Sequence, residues 1–270
     1  MESFLDLSNL AAFIAFICYS IATLAVVFRL FHPQGPNIVT VLSFGCLGII
    51  LHTVTTGQYL FTDSSINFAL SNVILLVTLV ISLIVTTIAL RYKINLLLPV
   101  TYGFAGFWLL VSIFIPHDQH TSVATGQLAV FSHVTMALIA YCILIIATLY
   151  AFQVAYINVK LKDKQIAAVN HLPPLMQVEG QLFTILALGT LCLFLSQVVG
   201  FVFLENFIAK SNAHKTILSL LALLLYSTIL WGHYKKGWRG HRVLVLTITA
   251  STLLTLAYFG SRFVKEFLLY

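Results

Sequence analysis

The sequence Trp231-Gly-His-Tyr-Lys-Lys-Gly-Trp-Arg-Gly-His-Arg242 forms a basic turn between two long apolar runs. Positive charge close to membrane segments is typical of loops that stay in the cytoplasm. Gly237 and Gly240 give the backbone the freedom that a tight reversal needs. Trp231 and Trp238 flank the charges, as aromatic residues do at a membrane–water interface. The stretch predicts two membrane helices joined by a cytoplasmic hairpin, and an anchor of topology is its simplest interpretation.

Composition places the rest of the chain in lipid as well. Hydrophobic residues make up 60% of it, charged residues 8%, and the mean hydropathy is +1.01, whereas a soluble domain carries about 25% charge. A helix needs about 20 apolar residues to cross about 30 Å of hydrocarbon. Eight runs qualify: Leu10–Phe31, Asn37–Thr56, Asn67–Leu90, Leu96–Pro116, Leu128–Ala155, Leu182–Leu204, Thr216–Tyr234 and Val243–Val264. We therefore predict an all-α polytopic membrane helix bundle of about eight transmembrane helices, forming one integral membrane domain over residues 1–270, with the lipid bilayer as its first partner.

The net charge of +6 follows the loops rather than forming a patch for nucleic acid, so no nucleic-acid partner is expected. Ten basic residues come after odd-numbered spans, and four lie on the other side. The ten are Arg29, Arg91, Lys93, Lys160, Lys162, Lys164, Lys235, Lys236, Arg239 and Arg242, and the four are Lys210, Lys215, Arg262 and Lys265. This asymmetry predicts that both termini lie outside.

Cysteine usage gives no sign of a redox or metal site. Cys18, Cys46, Cys142 and Cys192 each lie singly in a predicted span, without C-x-x-C spacing. Such residues pack as small apolar groups, and no disulfide framework is predicted.

Three histidines are candidates for function, because an ionisable residue inside a membrane span is a functional hypothesis by default. His52 shares one helical face with Gly45 and Gly48, a face that would admit either a neighbouring helix or the flat ring of a cofactor. His133 lies near the start of the fifth span. His214 lies at the mouth of the seventh. Since successive spans alternate in direction, all three are predicted in the outer leaflet, although a neutral histidine bonded to a neighbouring helix is the structural alternative for each.

The surroundings of His133 and the last span complete the pattern. Ala137, Ala140 and Tyr141 follow His133 on one face, which predicts a shallow groove beneath the imidazole. In the eighth span Thr247, Ser251, Thr255, Tyr258 and Arg262 recur at steps of three or four. This polar stripe should line the protein interior or a wet cavity. The outer-loop pair His117 and His120 could hold a metal ion, but a solvated surface pair is the simpler interpretation.

These residues carry a resemblance. The run Leu172-Pro-Pro-Leu-Met-Gln-Val-Glu179, the motif Trp231–Gly240, the ending Ala257-Tyr-Phe-Gly260, and Ser132-His133 with Ala140-Tyr141 resemble the cytochrome c assembly family. Over nearly its whole length the chain is most similar to the YpjD-like and HemX-like eight-helix branch. The resemblance implies a haem-handling protein of the bacterial inner membrane with paired outer histidines on the haem iron.

On that basis His133, His214, His52 and Arg262 are predicted to bind haem. His133 matches a family ligand position and is predicted to be one axial ligand of the haem iron. His214 is predicted to be the second axial ligand. His52 is the alternative ligand or a supporting group, and Arg262 would neutralise a haem propionate. Two departures from the family pattern argue against haem-lyase activity: Val198–His214 contains no tryptophan, and the given sequence has no histidine after the last span.

The leading function is therefore haem handling or delivery in cytochrome maturation, with no catalytic residues. Other membrane proteins are candidate partners. Two alternatives stay open at this stage. One is a non-haem membrane scaffold or regulator whose small-residue faces pack helices and bind a partner. The other is a small-molecule or haem transporter, which only the polar eighth span supports.

The charge asymmetry makes a topological prediction. Single cysteines at Lys162 and Lys236 should be protected from a membrane-impermeant thiol reagent in intact cells, and cysteines at Asp63, Asp118 and Lys210 should be labelled. Labelling of the Lys236 site from outside would reverse the orientation.

Overall fold

The computed structural model describes residues 2–29, 35–62, 65–67, 69–91, 96–115, 122–123, 128–164, 172–203 and 213–260. Arg262 and the His117–His120 pair lie outside these residues. Eight α-helices occur in the described part: α1 Glu2–Val27, α2 Ile38–Leu60, α3 Leu70–Ala89, α4 Leu97–Ser112, α5 Leu128–Lys162, α6 Leu175–Phe203, α7 Ala213–Lys236 and α8 His241–Thr255. A π-helical segment, Leu256–Gly260, continues α8.

The prediction of an all-α polytopic membrane bundle is confirmed. Seven of the described helices are long and apolar enough to cross a membrane. The eighth, α4, has 16 residues and rises only about 24 Å, less than the ~30 Å of the hydrocarbon layer. Several helices run past the predicted apolar segments. α5, for example, continues to Lys162, where long basic side chains can carry their charge beyond the apolar layer.

The helices form two compact units, the first containing α1–α4 and the second α5–α8. In unit 1, each helix packs on its neighbours in the chain, and α1 closes the ring against α4. Unit 2 repeats this arrangement, with α5 packed on both α6 and α8 and α7 on α6 and α8. The prediction of a single domain over the whole chain stays a prediction.

Unit 1 also contains a small antiparallel sheet that the sequence did not predict. Its strands are β1 Phe61–Thr62, β2 Ser65–Asn67 and β3 Ser122–Val123, in the order β1-β2-β3. Asn67 anchors the sheet to α3, because its side-chain oxygen accepts from the Ala69 amide at 3.0 Å. Asn72, in the first turn of α3, donates to the carbonyls of Tyr59 and Asn67 at 3.0 and 3.2 Å. The polar residues at the start of the third span therefore satisfy backbone groups where chain reversals leave them unpaired.

The glycine face of α2 is filled by tyrosine rings from α1 and α4. A Cβ on Gly45 would lie 2.5 Å from the Tyr102 hydroxyl oxygen, and one on Gly48 would lie 3.0 Å from the Tyr19 ring. The two rings stack on each other with centroids 5.3 Å apart. The sequence allowed either a neighbouring helix or the flat ring of a cofactor on this face. In the described structure, neighbouring helices occupy it.

The hairpin between α7 and α8 has the geometry expected of its glycines. Gly237 and Gly240 adopt φ of +64° and +65°, the left-handed region that glycine enters without steric cost. The Gly237 amide donates to the His233 carbonyl at 3.0 Å, which caps the C-terminus of α7. The Trp238 ring lies directly against the Cα of Gly232, where a Cβ would clash with it.

The packing of α2 makes a stability prediction. Gly45→Ala should lower the free energy of unfolding by roughly 1–3 kcal/mol, because the Tyr102 ring is fully buried and its hydroxyl is held 2.7 Å from the Thr86 hydroxyl. Gly57→Ala, on the same helix, is the control. Nothing lies within 4 Å of its added Cβ, so it should keep or raise stability by up to roughly 1 kcal/mol through helix propensity. Thermal unfolding in detergent measures both, and equal effects would contradict tight packing at Gly45.

Candidate functional site

His133 lies in the second turn of α5 and is held by the facing turn of α6. Its Nδ1 atom is 2.8 Å from the Ser196 carbonyl oxygen and 3.3 Å from the Ser196 hydroxyl. That hydroxyl also donates to the His133 carbonyl at 3.3 Å. Ser196 itself is fully buried. One residue of α6 thus fixes both the side chain and the backbone of the histidine.

These contacts select one form of the imidazole. A carbonyl oxygen can only accept a hydrogen bond, so Nδ1 must carry the proton. In the neutral ring, the lone pair is then on Nε2. Metal-bound histidines are commonly held in this way, with one ring nitrogen donating to a backbone carbonyl and the other available to the metal. His133 is therefore chemically suited to ligate iron through Nε2.

The shallow groove predicted beneath His133 is wrong. Ala137, Ala140 and Tyr141 are all buried, with 7%, 0% and 6% of their surface exposed. The Tyr141 ring packs against Tyr258 and Phe259, with centroids 5.6 and 5.3 Å away. These two rings belong to the π-helical segment, where the wider winding changes the direction of side chains. The small face of α5 therefore receives the aromatic end of the last helix.

The polar stripe of α8 faces the interior of unit 2, as predicted for its described members. Thr247 is fully buried and Ser251 nearly so. Thr255 Oγ1 is 3.1 Å from the Tyr141 hydroxyl, and it also donates to the Ser251 carbonyl at 2.8 Å. The stripe thus joins α8 to α5 by polar contacts. Arg262, its last predicted member, lies outside the described residues.

His214 lies in the first turn of α7, at the same end of unit 2 as His133. This follows from α6, whose Ser196 contacts His133 and whose next residue, Gln197, lines a groove with Ala213 and Thr216 of α7. The His214 side chain is exposed, so it is accessible to a ligand. No contact within the described residues joins the two imidazoles. Their role as an axial pair stays a prediction.

His52 occupies a different environment, in the core of unit 1. None of its surface is exposed. A hydrogen bond of 3.3 Å joins its Nδ1 to the Tyr19 hydroxyl, and the two rings meet edge to face at 5.9 Å. The predicted binding role of His52 is untested, but these contacts are those of a core histidine that ties α2 to α1.

His233 marks the opposite end of unit 2 from His133. Its Nδ1 donates to the Trp238 carbonyl at 3.1 Å, and its ring stacks on Phe183 of α6 with centroids 3.3 Å apart. Phe183 lies 13 positions before Ser196 on that helix, or about 20 Å along its axis. Nearby, Arg239 of the hairpin pairs with the buried Glu179 at 3.4 Å. The sequence did not foresee this coupling of the hairpin to α6.

Apart from the proposed haem ligands, the part of the chain that the structure describes offers no metal-binding site. It holds no group of three His, Cys, Asp or Glu side chains arranged to bind a metal ion. The four cysteines are free thiols, as predicted. Ser196 is the functional contact that sequence reasoning missed. Its position among the polar residues of the sixth span was visible, but its pairing with His133 needed the register of α5 against α6.

These features define a class of protein. It is a multi-pass helical membrane protein with an oriented, half-buried histidine at one end of a four-helix unit. The chain belongs to the cytochrome c assembly protein family, whose sequence model matches residues 40–269. That membership supports a role in cytochrome c maturation.

Individual relatives agree with this assignment. Inner membrane protein YpjD of Escherichia coli K12 is 35% identical over 259 residues, which cover 94% of this chain and 97% of that protein. The homologous protein of Escherichia coli O157:H7 gives the same figures. An uncharacterised 28.8 kDa protein of Azospirillum brasilense is 29% identical over 140 residues, covering 51% of this chain and 52% of that protein. No solved structure matches. The seven apolar helices and the similarity to YpjD support a multi-pass inner-membrane protein.

Proposed function

We propose that this protein binds haem through His133 and handles it for cytochrome c maturation, without catalysis by its own side chains. The observation that carries the proposal is the 2.8 Å contact between His133 Nδ1 and the Ser196 carbonyl. It fixes the tautomer whose Nε2 can ligate iron and orients the ring.

The donor chemistry of His133 fits a haem group, because its Nδ1 is held by a carbonyl oxygen as in many metal-bound histidines. The residue is half-buried, so part of its surface remains accessible while Ser196 holds Nδ1. The aromatic residues Tyr141, Tyr258 and Phe259 lie further along the same end of unit 2. Bound haem would supply an iron centre whose potential is set by its axial ligands and by burial.

His214 is the partner that best meets the geometry. It lies at the same end of unit 2 and is exposed, whereas His52 is fully buried in unit 1 against the Tyr19 ring. Two neutral imidazoles would give a six-coordinate, low-spin haem. Arg262 is proposed to neutralise a propionate, because an arginine pairs strongly with a carboxylate in a bidentate manner.

A membrane scaffold is the second candidate, and a specific observation favours it. The glycine face of α2, which could have accepted a flat cofactor, is filled by Tyr19 and Tyr102. At least one small-residue face of the chain therefore serves helix packing. A scaffold would leave the orientation of His133 as a purely structural contact between α5 and α6.

The histidines of unit 2 provide a matched test. His133→Ala should remove most of the haem that the wild-type protein retains after reconstitution, measured by haem absorbance per protein. His233→Ala should retain it, although His233 makes the same kind of Nδ1-to-carbonyl bond. Added imidazole should restore haem to His133→Ala by replacing the lost ligand. Full haem retention by His133→Ala would overturn the assignment.

The proposed propionate contact makes a separate prediction. Arg262→Leu should weaken haem retention more than Lys265→Leu, because the long side chain of Lys265 can extend its charge to water. Haem dissociation to an apo-myoglobin acceptor measures both variants. Equal dissociation rates would leave Arg262 as an interface anchor.

A further inference from the structure

A groove between α6 and α7 is not used by the histidine site. It consists of two connected parts, with volumes of about 370 and 650 Å³, which share Phe194, Leu220 and Leu223. Along α7 it extends from Ala213 to Leu230, a distance of about 25 Å. Phe194 and Leu224 in its walls keep 51% and 62% of their surface exposed. The groove therefore opens sideways, toward the apolar layer.

One polar group in this groove lacks a partner. Gln197 borders the groove, its side chain is only 7% exposed, and its Oε1 meets no hydrogen-bond donor among the described residues. An unsatisfied buried polar group costs roughly 1–3 kcal/mol, and the hydrocarbon layer offers no water to replace the missing donor. An amide oxygen accepts hydrogen bonds and cannot donate them, so the partner that Gln197 Oε1 lacks is a donor. A ligand that carries a hydroxyl would supply this missing donor.

The position of Gln197 limits the charge of that ligand. It lies seven residues before Leu204, where the apolar run of the sixth span ends, which corresponds to about 10 Å of helix. A phosphate group at that depth would be expensive to bury, whereas a neutral hydroxyl is not. The described lining also has no imidazole, thiol or phenol that could ligate iron. A phospholipid headgroup and haem are therefore both poor occupants.

Two aromatic rings indicate the shape of the head. Phe194 and Phe201 stand three residues before and four residues after Gln197, and both line the groove. Residues at these spacings lie on one helical face, so the rings flank the amide. A flat aromatic head can stack on such rings, while the remaining length of the groove accommodates a long apolar tail.

We propose that the α6–α7 groove binds a prenylated hydroquinone, with a head hydroxyl on the Gln197 amide and the tail along Leu220, Leu223 and Leu230. The proposal goes beyond haem handling and does not depend on it. It concerns binding only.

The test uses protein in nanodiscs and two tritiated probes, decyl-hydroquinone and its dimethyl ether, under nitrogen with scintillation-proximity detection. The ether keeps the ring and tail but cannot donate. Wild-type protein should bind the hydroquinone about tenfold more tightly than the ether, the factor expected of one hydrogen bond. Gln197→Leu should bind both probes equally.

Gln181→Leu is the matched control. Gln181 lies on the same helix and also has amide atoms without partners among the described residues, but it is not among the described residues of the groove. This variant should keep the tenfold preference, and Gln197→Leu should keep wild-type haem content. Equal binding of both probes by the wild type would show a groove for bulk lipid tails only. An unchanged preference in Gln197→Leu would also overturn the proposal.

Discussion

The contact between His133 and Ser196 is the interaction on which the account of unit 2 depends. In hydrocarbon a polar side chain must find its partners within the protein, because water is absent. Ser196 supplies three such contacts with His133, through its carbonyl and its hydroxyl. They fix the register of α6 against α5, and at the same time they fix the tautomer of the imidazole. The same contacts therefore determine both how α5 packs on α6 and which imidazole nitrogen of His133 carries the proton.

The same constraint explains much of the remaining polar architecture. Threonine hydroxyls that face lipid, such as Thr53 and Thr249, return their hydrogen bonds to the helix carbonyls four residues earlier. Those that face the interior can instead join helices, as Thr86 does with Tyr102 and Thr255 with Tyr141. At the hairpin, Arg239 neutralises the carboxylate of the buried Glu179. The exposure of Arg239, at 60%, keeps its own charge accessible to water, so the pair avoids the cost of burying two ions.

Sequence reasoning succeeded where one strong periodic signal decided the result. The apolar runs predicted the helices, Gly237 and Gly240 predicted the turn, and the steps of the polar stripe predicted which face of α8 is buried. It failed where the outcome depended on contacts between distant segments. The groove below His133 looked open because Ala137 and Ala140 are small, but both are buried, and Tyr258 and Phe259 of the π-helical segment pack on Tyr141 of the same face. The short strands around Ser65–Asn67 were too brief to produce a pattern, and no local signal pairs Ser196 with His133.

The two units also differ in what their histidines do. In unit 1, His52 packs on the Tyr19 ring, and Tyr19 and Tyr102 occupy the glycine face of the same helix, so the imidazole contributes to packing. In unit 2, His133 is oriented by backbone and left half-buried at the end of the bundle. The most direct measurement of the central claim is the absorption and electron paramagnetic resonance spectrum of the wild-type protein purified in detergent and supplied with ferric haem. The account predicts the six-coordinate, low-spin spectrum of two imidazole ligands. A spectrum identical to that of free haem in detergent, or a five-coordinate high-spin signal, would contradict it.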